Sequence, residues 1–455
     1  MSDPLQSAVS QVESYFDQGI FQSVLALLVA YKTESQTGER SDELYAYLNE
    51  AIGPRLVRSD FDVEVFDNPV AGGGPILLAT RAEDLDAPTV LIYGHGDVVH
   101  GQAGQWADGM EPFVLHAAED RFYGRGVADN KGQHLINIAA LEAVIAQRGR
   151  LGFNVKILIE MSEEIGSTGL ESFCANHRAA LAADVLIASD GPRVAPDTPT
   201  LFLGSRGSVN FDLAVDLRAG ANHSGNWGGL LRDPAMVLAH AIASISDVDG
   251  QLQIAEWRPD SLSDAVRADL ADIPVSGPMI DPNWGEDGLS AAEKVFGWNS
   301  FAVLALDHGD PDAPQNAIAG QAKAACQLRF VVGTDGADIL PALRRLLDAR
   351  GFEAVRIVEE QGVFPATRSG RDNPWVALVE KSLARTTGTP PHVLPNLAGW
   401  IPNHCFSEVL GMATVWIPHS YAGCSQHEPN EHVLKDTCRQ ALACMVGVFW
   451  EIGDG

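Results

Sequence analysis

The sequence predicts an α/β protein in which a larger domain with a mostly parallel central sheet is interrupted by a smaller inserted domain. Three observations predict it. Between residues 88 and 208, short β-branched runs alternate with helical stretches, the mark of strand–helix–strand units on a parallel sheet. From about residue 205 the runs become alternating and half-exposed in character, and after about residue 366 buried-sheet texture returns. The length, 455 residues, exceeds the roughly 250 to 300 residues at which single hydrophobic cores stop growing.

In chain order, residues 90–93, 155–159 and 185–188 read as buried strands. Residues 132–146 carry Leu135, Ile138, Ala139 and Val144 at helical spacing and stop near Gly149, so they read as a helix between strands. Residues 208–217 alternate like a half-exposed strand, 234–245 read as a helix, and 302–306 and 322–332 as strands, implying a second βα-type layer. An amphipathic helix at 337–350 and a strand at 354–358 follow, then a linker at 365–374. A strand at 413–417 and a closing helix at 434–450 complete the chain. The expected domains are 1–205 and 366–455, forming one catalytic unit, around an inserted unit at 206–365; the stretch 251–297, rich in Asp, Pro and Trp, is the least legible.

Composition excludes several classes. Every apolar run is far shorter than the ~20 residues that cross a bilayer. A net charge of -29 repels phosphate backbones and anionic lipid, so neither nucleic acid nor a membrane surface is expected as partner. Residues 1–19 hold acids and no base, without the pattern of a secretory signal. Cys174, Cys326, Cys405, Cys424, Cys438 and Cys444 form no C-x-x-C pair and read as reduced core thiols, so a cytoplasmic location is expected.

The chemistry lies where the apolar strands end. Residues 90–93 lead into His95 and Asp97, 155–159 into Glu163 and Glu164, 185–188 into Asp190, and 413–417 toward His419 and His427. In open α/β sheets the carboxyl ends of the strands line the ligand crevice, so these side chains converge there despite their distance along the chain. Asp129, Glu164 and Asp190 supply three negative charges, two neutral imidazoles add none, and two divalent cations with one hydroxide complete neutrality. Glu163 is then free to act as general base and acid, while Asp97 orients the ring of His95. Spacing alone does not choose between His419 and His427.

Taken singly, each residue has a bland reading. Glu163-Glu164 reads as a solvated pair, His95 as a core imidazole, Asp190 before Gly191-Pro192 as a turn residue, His223 as a solvated turn histidine and Arg329 as an outward-facing charge. Gly124-x-Gly126 lacks the full G-x-G-x-x-G spacing of a nucleotide loop, and no G-x-S-x-G elbow supports a serine nucleophile. Their joint occurrence in order is what the bland readings leave unexplained.

Gly94-His95-Gly96-Asp97-Val98-Val99, Gly124-Arg125-Gly126-Val127-Ala128-Asp129-Asn130-Lys131-Gly132, Glu163-Glu164-Ile165-Gly166-Ser167 and His427-Glu428-Pro429-Asn430-Glu431 together resemble the motifs of a dinuclear zinc family. That family contains carboxypeptidase G, aminoacylase, acetylornithine deacetylase, succinyl-diaminopimelate desuccinylase and the carnosinase-like dipeptidases. The resemblance implies a zinc-exopeptidase-like catalytic domain with an inserted ferredoxin-like α+β lid and dimerisation domain, and hence a homodimer. It implies that Asp129 bridges two ions, zinc as first choice with manganese or cobalt as alternatives, that His95 and Asp190 complete one site, and that Glu164 and His427 complete the other. By the same resemblance the Asp129–Asn130 peptide is cis, His223 steadies the oxyanion in a partner's site, and Asn316 and Arg329 grip a substrate carboxylate. Gly399 falls in the substrate loop, where Leu397-Ala398-Gly399-Trp400 departs from the usual Gly-Gly-Ser, and Ala319 replaces a common proline.

The expected activity is hydrolysis of an amide next to a free carboxylate in dipeptides or short peptides, by metal-bound hydroxide with Glu163 as base. The alternative is deacylation of N-acyl amino acids, and a catalytically silent binding protein ranks below both because such a protein needs no Glu163.

Overall fold

The computed structural model describes residues 4–275 and 279–454. By contact density the chain forms two compact units, one from 1–204, 369–394 and 401–455, the other from 205–368 and 395–400.

The first unit is built on an eight-stranded sheet in the order Asp62–Phe66, Ile76–Arg81, Asn154–Glu160, Thr89–His95, Val185–Ala188, Ala413–Trp416, Thr200–Phe202, His392–Leu394. The four central strands, from Asn154–Glu160 to Ala413–Trp416, run parallel to one another. They are apolar along nearly their whole length because helices shield both faces, which leaves no reason for alternation. Helix Lys131–Arg148 ends at Gly149, whose φ of 77° closes the last turn with a hydrogen bond from its N–H to the Ile145 carbonyl. The closing helix Lys435–Ile452 packs against it and buries Leu442, Met445, Val446 and Phe449, each side chain contributing about 1.5–3 kcal/mol on removal from water.

The second unit is a four-stranded sheet in the order Ser300–Asp307, Gln321–Phe330, Gly207–Asp216, Val355–Phe364, antiparallel throughout. The expected second layer of strands and helices takes the form of an antiparallel sheet with helices on one face. Ala322, Ala324, Cys326, Leu328 and Phe330 point to the core with Val209, Phe211, Leu213 and Val215, while the residues between them face outward. Helices Pro234–Ile245 and Ile339–Ala349 cover the inner face through Leu238, Ala241, Leu343 and Leu347. Asp233 caps the first of these helices by accepting from the Ala235 and Met236 amides, and Pro234 fits its first position. The second starts later than the sequence suggests, after a 3₁₀ turn at Gly336–Asp338, and the strand expected at 354–358 extends to Phe364. Within 251–297 the chain forms a 3₁₀ turn at Ala255–Trp257, a short helix at Asp264–Leu270 and a π-helical turn at Glu293–Gly297.

All six cysteines are free and buried. Among the described residues, no helix is long and apolar enough to cross a membrane.

Candidate active site

The four parallel strands deliver their carboxyl ends to one place. Two glycines make the approach possible. A side chain at Gly94, in the strand Thr89–His95, would meet the Cβ of His134 at 2.6 Å, so only glycine lets this strand lie against helix Lys131–Arg148. At Gly132 a Cβ would come within 2.1 Å of the Val127 carbonyl oxygen, which keeps the turn bearing Asp129 tight against the start of that helix. The Asp129–Asn130 peptide bond is cis.

His95 is wholly buried, with Nδ1 3.1 Å from the carbonyl oxygen of Asp97 and 3.4 Å from its Oδ1. That contact turns Nε2 to the other side, where it lies 3.0 Å from Asp129 Oδ1 and 3.7 Å from Asp190 Oδ2. The second oxygen of Asp129, Oδ2, lies 3.0 Å from His427 Nε2, which is in turn 3.0 Å from Glu164 Oε2. Two triads result, His95/Asp129/Asp190 and Asp129/Glu164/His427, each with its candidate ligand atoms within 4.8 Å of one another. Asp129 belongs to both and presents a different oxygen to each imidazole.

Other groups hold this arrangement. Asp97 accepts from the Glu163 amide through Oδ1 and from the Glu164 amide through Oδ2, both at 3.1 Å, so one buried carboxylate fixes the turn that carries both glutamates. Asn130 Nδ2 donates to the Ser189 carbonyl at 2.8 Å, tying the Asp129 turn to the Asp190 turn. His419 enters neither triad. Its Nε2 lies 2.9 Å from Ser189 Oγ and its amide donates to Gln133 Oε1 at 2.8 Å, so it is a core imidazole behind Asp190. Gln426, which sequence reasoning passed over, donates from Nε2 to Asp129 Oδ2 at 2.5 Å. Its only signal in the sequence is its place beside His427.

Electrostatics test whether cations fit. Among the described residues, the ion-pair partners of Asp129, Glu164 and Asp190 are His95 and His427, with no lysine or arginine. Burial and the charge of Asp129 push the Glu164 carboxyl up to about 7 and that of Asp190 up to about 6. Burial also holds Glu163 well above the usual carboxylate range, against the pull of His95. Carboxylates crowded this closely are short of positive charge, and a nitrogen and oxygen donor set of this kind suits divalent metal ions.

The remaining sequence candidates lie in the second unit. His223 and Asn316 are neighbours there: Asn222–His223 pairs with Ala317–Ile318, and the Ser224 amide donates to the Asn316 carbonyl at 2.9 Å. His223 is exposed, its Nδ1 accepting from the Gly225 amide at 3.1 Å. Arg329 lies on the outward face of strand Gln321–Phe330, opposite Ser208 and Ser300, and its backbone carbonyl accepts from buried Arg206 at 3.1 Å. Gly399 belongs to the 395–400 segment of the same unit.

The sequence profile of Peptidase family M20/M25/M40 matches residues 91–451. A cysteinylglycine-S-conjugate dipeptidase of Corynebacterium striatum is 27% identical over 356 residues, covering 75% of this chain and 76% of that protein. The beta-Ala-His dipeptidase of Mus musculus is 35% identical over 184 residues, a match that spans 40% of this chain and only 37% of that protein. Among solved structures, the M20 family metallo-carboxypeptidase Sso-CP2 of Sulfolobus solfataricus superposes with a TM-score of 0.82 at 24% identity, covering 96% of this chain and 99% of that one. Human carnosine dipeptidase 1 gives a TM-score of 0.80 at 21% identity, covering 100% and 99% respectively.

Proposed function

This chain belongs to peptidase family M20/M25/M40, and from that premise we propose that it is a two-metal dipeptidase acting on dipeptides or short peptides with a free carboxylate. The observation that carries the proposal is the sharing of Asp129 between the two triads, since one carboxylate with an oxygen for each of two cations is the donor set a paired-ion hydrolase requires. The dipeptidase names of the Corynebacterium striatum and Mus musculus relatives favour small peptides.

In this reading His95, Asp129 and Asp190 hold one ion and Asp129, Glu164 and His427 the other, with zinc as first choice and manganese or cobalt as alternatives. The ions, when bound, would acidify a shared water and polarise the scissile carbonyl. Glu163 receives the proton of the attacking water on a carboxylate oxygen and returns it to the leaving amine. Asp97 keeps Glu163 and Glu164 in register by holding both amides.

The inserted unit, about 206–365, is proposed as lid and dimerisation domain within a catalytic domain of 1–205 and 366–455. Its residues His223, Asn316 and Arg329, with Gly399 from the substrate loop, would steady the oxyanion and grip the substrate carboxylate, and the proposed homodimer brings His223 to the partner's site. Supporting the dimer, edge strand Ser300–Asp307 exposes Val303, Leu304 and Leu306 at 41%, 59% and 63%, an apolar edge suited to pairing with a second copy. Six free buried thiols favour a cytoplasmic location.

The test is turnover of a panel of dipeptides and N-acyl amino acids by purified, metal-analysed protein, with Glu163→Ala as control. Peptide hydrolysis lost in the variant is expected. Activity confined to acylated amino acids would replace the dipeptidase reading with a deacylase, and equal turnover by the variant would remove the mechanism.

A further inference from the structure

We infer that Glu431 is a positioning residue that sets both candidate cation sites at once, by clamping the turn of Asp129 to the loop of His427. The inference rests on the two-metal reading. Glu431 is 1% exposed and its carboxylate gathers donors from one short turn. Oε2 accepts from Arg125 Nη1 at 2.8 Å and from the Gly126 amide at 3.1 Å. Oε1 accepts from the Gly126 amide at 3.1 Å, the Ala128 amide at 2.9 Å and the Asp129 amide at 3.2 Å. The backbone carbonyl of Glu431 takes the Gly124 amide at 3.0 Å. Converging amides of this kind form a concavity for a single anion, here supplied by the protein itself, and Gly126 reaches the required φ of 87° without a side-chain clash.

The other end of Glu431 finishes the loop of His427. In that loop Ser425, His427 and Asn430 have φ of 56°, 63° and 65°, a left-handed conformation that non-glycine residues adopt rarely and keep only when their surroundings fix them. The anchors are visible: the His432 amide donates to the Cys424 carbonyl at 2.9 Å, and Asn430 Oδ1 accepts from the Ala107 amide at 2.7 Å. Glu431 also holds the backbone of the Asp129 turn, whereas Gln426 of the same loop reaches only the Asp129 carboxylate. Removing its carboxylate therefore frees the residue common to both triads together with a ligand of one of them, and leaves the charge of Arg125, itself 1% exposed, without its partner.

Full-length wild-type protein, Glu431→Gln and Glu431→Asp, each stripped with EDTA, are titrated with Zn²⁺ against a chromophoric chelator, and thermal unfolding of the stripped proteins and kcat and KM for a dipeptide are measured in parallel. Glu431→Asp keeps the charge but shortens the arm, so it carries the test if loss of the ion pair in Glu431→Gln prevents folding. Expected are zinc affinities about 10- to 100-fold weaker at both sites, a lower kcat with KM little changed, and an unfolding temperature of stripped Glu431→Asp close to wild type. Wild-type affinities at both sites in the variants would overturn the inference, as would a loss confined to one site. Failure of the wild-type protein to bind two zinc ions would instead overturn the two-metal reading.

Discussion

The two triads around Asp129 differ in how they are built. His95, Asp129 and Asp190 are all buried; His95 and Asp190 follow the ends of neighbouring parallel strands and Asp129 sits in the turn before helix Lys131–Arg148, so two of the three positions follow from the sheet. Glu164 comes from a 3₁₀ turn and His427 from a loop, and the His427 side chain is 52% exposed on a backbone of positive φ. One site is thus set largely by the buried sheet and the other largely by hydrogen bonds that hold irregular chain. The difference teaches that the deeper site should keep its ion and the outer one should exchange it.

The strongest way to break this comparison is to remove what the sites share. Asp129→Ala is expected to abolish binding of both ions, by elemental analysis, and to cost several kcal/mol of transition-state stabilisation, on the order of 10⁴-fold in kcat. Glu163→Gln separates chemistry from binding: metal content stays at the wild-type value while kcat falls by about 10³-fold in a dipeptide assay. The asymmetry itself is sharpened by pairing His427→Ala with Asp190→Asn. Each should retain one ion, but the ion left in the His427 variant should resist a competing chelator about 10- to 100-fold better, and equal resistance would erase the asymmetry between the sites. Asp97→Asn should have the smallest effect, weakening metal affinity by about tenfold as one of the Glu163 and Glu164 amides loses its acceptor and the charge beside His95 is removed.

The same division explains what could be read from the sequence. The parallel strands were legible because burial on both faces makes them continuous apolar runs; residues 185–188 coincide with Val185–Ala188, and Pro234–Ile245 matches its proline and capping aspartate. Strands Thr200–Phe202 and His392–Leu394 are too short to show a pattern, and Asp62–Phe66 is only half-buried. In the second unit, the polar stretch from Glu359 to Gly362 hid the extension of Val355–Phe364. At the site, the carboxylates and imidazoles announced themselves by residue type at strand ends. Gln426 did not, because an amide that serves by donating an ordinary hydrogen bond leaves no mark beyond its neighbours; Glu431 was visible as the last residue of the His427–Glu431 block, but its hydrogen-bonding role was not.

Giving each oxygen of Asp129 to a different imidazole also constrains how this centre can diverge. Any substitution that reshapes one coordination pocket to prefer another element pulls on the carboxylate serving its neighbour. On the two-metal reading, selectivity for the pair of ions would be inherited jointly, and a lineage changing its metal diet would have to retune both halves in step.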